Sequence, residues 1–318
     1  MASVLVIGGD GFIGSHLVDD LLERGHEVKV FARFHNGKSF NLEHVRGKAT
    51  FIAGDFLNLT DLGLALRDVD YVFHMISMST PASTMFDPLL DVNTNILGTV
   101  RLLDLCVKHG VKRVIFPSSG GTVYGDVEVD LISEDHAANP YSPYAISKLT
   151  IEKYLDYFNK LQGLDYLVFR VANAYGPRQS FSKKQGVMAA FMGEIKAGRP
   201  VKIFGDGADV RDYIYVKDVT KLMVDVFEKD LGDGPACRRV YNVGSGEGRS
   251  VKDLVEALRE VLKEDAEHCD FEVEHVPAKE GYVSKVVLDA WRVEEDFGFV
   301  PKIGFEEGLR KTWESFSG

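Results

Sequence analysis

The sequence predicts an α/β fold: a doubly wound parallel sheet over roughly the first 170 residues, followed by a smaller, less regular α/β lobe. Three observations predict it. Short apolar runs alternate with longer segments of helical period. The runs lack polar alternation, which fits strands covered on both faces by helices. The first run also ends in a glycine-spaced turn that opens the first helical segment.

The strands are expected at Val4–Ile7, Val28–Phe31, Thr50–Ala53, Tyr71–Phe73, Arg113–Phe116 and Tyr166–Val171. Helices are expected between them at Phe12–Arg24, Leu62–Arg67, Leu89–His109 and Ser142–Gln162. Beyond them, Gly176-Pro177, Gly198-Arg199-Pro200, Gly205-Asp206-Gly207 and Gly232-Asp233-Gly234-Pro235 punctuate the chain into short pieces. The expected first domain is 1–172, with 212–240 returning to it, and 173–211 with 241–318 form the lobe. Helices Leu89–His109 and Ser142–Gln162 carry apolar residues on more than one face, so a homodimer is expected through them.

With 318 residues and 45% hydrophobic content the chain can bury a substantial core. A formal net charge of -11 offers no basic field to a nucleic acid or an anionic membrane. Cys106, Cys237 and Cys269 are widely spaced and in no metal-like pattern, so neither a disulfide framework nor a metal site is expected. Val4-Leu5-Val6-Ile7 lacks the basic leader of a signal peptide, and no stretch reaches the roughly 20 apolar residues of a membrane span. A cytoplasmic protein is the expectation.

In Gly8-Gly9-Asp10-Gly11-Phe12-Ile13-Gly14 the glycines stand at 8, 11 and 14, between a strand and a helix. Missing side chains let such a loop approach a pyrophosphate, whose charge meets the free amides at the helix N-terminus. A dinucleotide cofactor follows. An NAD site usually places an acidic residue after the second strand, where it bonds the adenine ribose. Ala32-Arg33 stands there instead, and Arg33 could pair with a 2′-phosphate, so NADP is favoured over NAD. Tyr144 and Lys148 lie at i and i+4 just after Pro143, on one helical face. A lysine ammonium and an oxidised nicotinamide nearby would favour the phenolate, making Tyr144 a general base.

Gly8–His16, read as G-G-D-G-F-I-G-S-H, resembles the start of the nucleotide-sugar epimerases and dehydratases of the extended short-chain dehydrogenase/reductase group. The resemblance continues through Gly54-Asp55, Asn93–Thr99, Ser118–Gly125, Tyr144–Lys148, Arg170–Gln179 and Val201–Asp218, nearly the whole chain. It implies a Rossmann-type sheet with a C-terminal substrate-binding lobe. It places Gly8, Gly11, Phe12, Ile13 and Gly14 at the pyrophosphate, Asp55 and Phe56 at the adenine, Asn95 in the cofactor site and Ala172 at the nicotinamide. Tyr144 would exchange a proton with a sugar hydroxyl while Lys148 holds the nicotinamide ribose. Asn173 would contact the substrate, Lys202-Ile203-Phe204 would line the nucleobase, and Arg211 would meet the diphosphate. Lys279 stands where the family has a second arginine, and Val286 falls at the wall of the hexose pocket.

The family's usual serine or threonine before V-Y-G is Gly120 here. Thr122, two residues further along a segment read as extended, is expected to replace it, with Ser119 facing the other way. The dehydratases carry an Asp-Glu pair where this chain has Gly121 and Thr122, so the proton donor for eliminating water is missing. The resemblance therefore points to a 4-epimerase of UDP-hexoses. Another nucleotide-sugar oxidoreductase, such as a 4-keto reductase, or a dinucleotide-sensing protein without catalysis, is the alternative.

Overall fold

The computed structural model describes residues 1–34, 37–77, 79, 84–85, 87–180, 186–232, 237–277 and 283–316. Its contacts divide the chain into two compact units. The first comprises Met1–Val123, Ala138–Arg170 and Thr220–Tyr241, and the second comprises Tyr124–Ala137, Val171–Val219 and Asn242–Gly318.

A seven-stranded sheet organises the first unit. Its strands are β1 (Ser3–Ile7), β2 (Glu27–Ala32), β3 (Thr50–Ala53), β4 (Tyr71–His74), β5 (Arg113–Ser119) and β6 (Asp165–Val171), with β10 (Val240–Val243) at the edge. The spatial order is β3-β2-β1-β4-β5-β6-β10, and the pairings from β3 to β5 are parallel. This is the Rossmann order, and its direction of progression reverses between β1 and β4. The helices are α1 (Phe12–Glu23), α2 (Leu59–Ala65), α3 (Pro88–Asp91), α4 (Leu97–His109), a single turn α5 (Gly120–Val123) and α6 (Pro143–Gln162). Leu5, Ile7, Val72, Val114 and Val168 from the strands pack with Leu62, Leu102, Leu103, Ile151 and Leu155 from the helices. Burial on the strands runs continuously, as in β1 and β5, because helices cover the sheet.

The fold class agrees with the sequence reading, and the strands fall within a residue or a few of their expected places. One helix does not. The expected continuous helix Leu89–His109 is α3 and α4 joined by a π-helical turn, Val92–Ile96. Such turns add a residue to the ladder, and no periodicity announces them.

In the second unit, β7 (Asn173–Tyr175), β11 (Gly248–Ser250) and β13 (Lys285–Val286) each pair with β9 (Val210–Tyr215). A separate parallel pair joins β8 (Val201–Phe204) to β12 (Val273–Val276). Its helices are α7 (Val187–Lys196), α8 (Val216–Val226), which continues into the first unit, α9 (Val251–Leu262), α10 (Trp291–Phe297) and α11 (Phe305–Glu314). Tyr175, Phe191, Met192, Leu254, Leu258, Leu309 and Trp313 form its core. The segment that returns to the first unit is thus 220–241, where the sequence reading has 212–240. The reason is β9, which occupies the middle of the second unit's sheet. Residues 124–137 also lie in the second unit, where Ile132 bridges Leu288 and the Tyr124 hydroxyl donates to Asn242 Oδ1 at 2.7 Å.

Candidate active site

The glycine loop leaves β1 with Gly8 at φ +80°, a left-handed conformation that suits glycine. A β-carbon on Gly8 would stand 2.8 Å from the backbone nitrogen of Ile76, just past β4, and one on Gly14 would stand 2.5 Å from the Gly8 carbonyl oxygen. The loop is packed to the limit of what glycine allows, at the point where the sheet reverses direction. Gly11 caps α1 without a side-chain bond, and the first turn carries no acidic residue. The amides of Phe12, Ile13 and Gly14 are therefore not capped by a side chain, and they suit a pyrophosphate. The Asp10 carboxylate accepts from the amides of Phe40 and Asn41, each at 3.1 Å, and so ties the stretch after β2 to this loop. Residues and geometry fit a dinucleotide.

Arg33 and Asp55 follow β2 and β3, both more than half exposed, with Arg33 Nη2 4.0 Å from Asp55 Oδ1. Phe56 is 1% exposed and stacks on His74 at 5.3 Å between ring centroids. Its side chain belongs to the core, so only its main chain can serve an adenine.

Ser142 caps α6, its hydroxyl accepting from the Ala145 amide at 3.3 Å, and Pro143 takes the first turn, where its missing N–H costs nothing. Tyr144 and Lys148 then share one helical face, and with Asn95, His74, Thr99 and Ser147 they line one pocket. Lys148 Nζ donates to the Pro117 carbonyl at 2.9 Å and lies 4.5 Å from the Phe116 ring centroid and 5.8 Å from that of Tyr144. Burial pulls Lys148 down to about 8, against the opposing carboxylates of Asp91 and Glu152. Burial, with Asp91 adding to it, pushes Tyr144 up to about 12. In the protein alone, then, the lysine does not turn the tyrosine into a base, and the positive charge expected of an oxidised nicotinamide is needed.

The residue before V-Y-G corrects the sequence reading. Residues 120–123 form a helical turn rather than an extended strand, since β5 ends at Ser119 and Gly120 begins α5. Residues three apart on a helical turn stand on one face, and Thr122 Oγ1 donates to Ser119 Oγ at 2.9 Å. The two hydroxyls form a pair instead of facing opposite sides.

Two further residues, one lining this pocket and one bonded behind it to Asn95 and Ser147, carry no sequence signal beyond their position. His74 ends β4 and is 2% exposed, with its Nε2 2.7 Å from Thr99 Oγ1. Asp91 ends α3 and is 1% exposed. A strand end at the reversal point is where a ligand is looked for, which is the one hint His74 gives.

In the second unit, Asn173 Nδ2 donates to the Asp212 carbonyl at 3.0 Å. Arg211 Nη2 donates to the Val283 carbonyl at 2.6 Å and Nη1 to that of Val210 at 2.8 Å. Carbonyls, rather than a salt bridge to Asp209 or Asp212, hold the Arg211 guanidinium. Val286 is 3% exposed and sits opposite Arg211 in the β13–β9 register. On β8 burial alternates: Lys202 and Phe204 are exposed, while Ile203 is buried in the core. Ile203 therefore cannot line a nucleobase with its side chain, because neighbouring strand residues point to opposite faces. Lys279 lies outside the described residues, and Ala172 bonds Val243 through its amide at 2.8 Å.

Residues 4–244 match the NAD dependent epimerase/dehydratase family. The chain is 39% identical to UDP-glucose 4-epimerase of Thermotoga maritima, solved with UDP-glucose, with a TM-score of 0.90 over 99% of this chain and 98% of that one. The UDP-glucose 4-epimerase of Thermus thermophilus, solved in complex with NAD, is 35% identical, with a TM-score of 0.89 and 99% of each chain covered. UDP-N-acetylglucosamine 4-epimerase of Methanobrevibacter ruminantium M1, in complex with UDP-N-acetylmuramic acid, is 33% identical at a TM-score of 0.89, over 99% of this chain and 98% of that one. A shared fold, a match over most of the length and a glycine loop built for a dinucleotide agree: the chain belongs to the NAD dependent epimerase/dehydratase family.

Proposed function

We propose that this protein is an NAD(P)-dependent 4-epimerase of UDP-hexoses. The observation that carries the proposal is the pocket in which Tyr144, Lys148 and Asn95 meet, read with the absence of carboxyl groups at Gly121 and Thr122. In this reading the first unit holds the dinucleotide and the second holds the nucleotide-sugar. The bound dinucleotide supplies reversible hydride acceptance from C4 of the sugar. Tyr144 takes the proton of the C4 hydroxyl and returns it once the 4-keto sugar has turned over. Lys148 holds the ribose and favours the phenolate, and the Ser119–Thr122 pair bonds the sugar oxygen. Arg211 binds the diphosphate, with Lys279 adding charge, and Asn173 contacts the substrate. Lys202 and Phe204 cover the nucleobase, and Val286 bounds the hexose.

Three finer points belong to the same proposal. Arg33 in place of an acidic residue favours NADP, although the Thermus relative was solved with NAD. The exposed faces of α4 and α6, with Leu97, Ile146, Tyr154, Tyr157 and Leu161, suit a homodimer. Three free cysteines fit a reducing cytoplasm. Among the described residues no helix is long and apolar enough to cross a membrane.

The test is conversion of UDP-galactose to UDP-glucose by the purified protein with no dinucleotide added. Stoichiometric consumption of NADPH would instead identify a reductase, and inactivity with bound dinucleotide would favour the sensing alternative.

A further inference from the structure

Behind the pocket's lining residues lies a buried charge that the proposed chemistry does not use. The Asp91 carboxylate accepts bonds from Ser79 Oγ, Ser147 Oγ and Asn95 Nδ2, the last at 2.6 Å. The Asn95 amide also donates to Ser79 Oγ at 2.7 Å. These three partners are neutral, so they solvate the charge without cancelling it. Burying an ionised carboxylate is costly unless it is bonded in this way. Two of the partners belong to the pocket: Asn95, and Ser147, which stands between Tyr144 and Lys148 on α6. The π-helical turn that follows Asp91 directly is of a kind that concentrates at functional sites.

We infer that Asp91 is a positioning residue for the Tyr144–Lys148 pair: through Ser147 it fixes the helix that carries both side chains, and its buried charge sets the pH window in which the pair works. The inference rests on the proposed role of that pair. The groups facing Lys148 are Asp91 from α3, Glu152 and Tyr144 from α6 itself, and His74 from β4. His74 is neutral near pH 7, because burial, helped by Lys148, holds it at about 3. Glu152 is bonded to Arg170 at 2.7 Å, so its charge is largely compensated. Asp91 is left as the main carboxylate favouring the ammonium, and it raises Tyr144 as well. With the positive charge of an oxidised nicotinamide alongside, as the proposed chemistry requires, the working form of the pair is one proton short, a phenolate beside an ammonium. Removing the negative charge lowers both proton affinities, so the whole window moves to lower pH.

The test is Asp91→Asn, which keeps size and hydrogen bonding and deletes the charge. Both limbs of the kcat/KM profile should move to lower pH by about one unit, the effect of one charge within roughly 10 Å at an effective dielectric near 20. Independently of turnover, the ε-carbon signal of Lys148 in cofactor-free, 13C-lysine-labelled protein should titrate about one unit lower. That signal is identified by its loss in Lys148→Met. Should Asp91→Asn not accumulate as folded protein, Asp91→Ser is the second neutral variant. Unmoved limbs with an unmoved Lys148 midpoint would overturn the inference even if kcat fell, since lost packing changes the height of a profile and not its position. The two readings fail separately: full turnover in Tyr144→Phe would refute the catalytic pair, whereas the lysine titration measures the Asp91 charge alone.

Discussion

His74 gives the most direct physical test of the pocket. A histidine ordinarily titrates near 6.5, and burial, joined by the Lys148 ammonium, pulls this one down to about 3. Its folded-state value is depressed, so the stability it contributes is fully present above 6.5 and is lost as pH falls from there toward 3. At about pH 4.5 the unfolded chain has gained the proton and the folded protein has not. Two units at 1.36 kcal/mol each make a loss of about 2.7 kcal/mol, a large share of the stability of a typical domain. His74→Asn removes the titration. It loses ring contacts with Phe56 at 5.3 Å and Phe116 at 5.4 Å, so it should be less stable at neutral pH by about 1–3 kcal/mol. Urea unfolding of both proteins at about pH 7.5 and about pH 4.5 isolates the effect, because carboxylates common to both cancel in the double difference. The native protein should lose about 2–3 kcal/mol more than the variant over that interval. Equal losses would show that His74 is protonated in the fold at about pH 4.5, and the burial assigned to its ring would not hold it neutral.

Four further outcomes are expected. Tyr144→Phe should leave folding and dinucleotide binding intact while lowering turnover by at least about 10², measured by steady-state kinetics; near-normal turnover would remove the residue from its role. Thr122→Val leaves the Ser119 hydroxyl without its donor and should lower kcat; if it is silent while Ser119→Ala is inactive, Ser119 alone bonds the sugar. Ala32→Asp with Arg33→Asn should shift the dinucleotide preference from NADP toward NAD, read from dissociation constants in the apo-protein, and equal constants in the unmodified protein would defeat the NADP assignment. Because Val286 is small, UDP-N-acetylglucosamine should be turned over beside UDP-galactose; activity on the second with none on the first would exclude it as the wall residue.

The parts legible in the sequence were those set by local rules. Apolar runs without alternation marked the strands of the first sheet because helices cover both faces, and the glycines at 8, 11 and 14 announced a loop that has no room for a β-carbon. Tyr144 and Lys148 could be paired because four residues make about one helical turn. The burial of Ile203 was not among them: the resemblance drew it into the nucleobase site, and only the strand β8 shows its side chain turned into the core. What tertiary structure decided was whatever depends on partners distant in the chain. The turn at Gly120 joins Thr122 to Ser119, β9 draws 212–219 into the second unit, and Asp91 meets Ser147, 56 positions away. Protonation belongs to that second class. A tyrosine, a lysine and a histidine have ordinary proton affinities in any sequence, and the enclosure that moves Tyr144 up, Lys148 down and His74 down exists only when α3, α6, β4 and β5 have packed together.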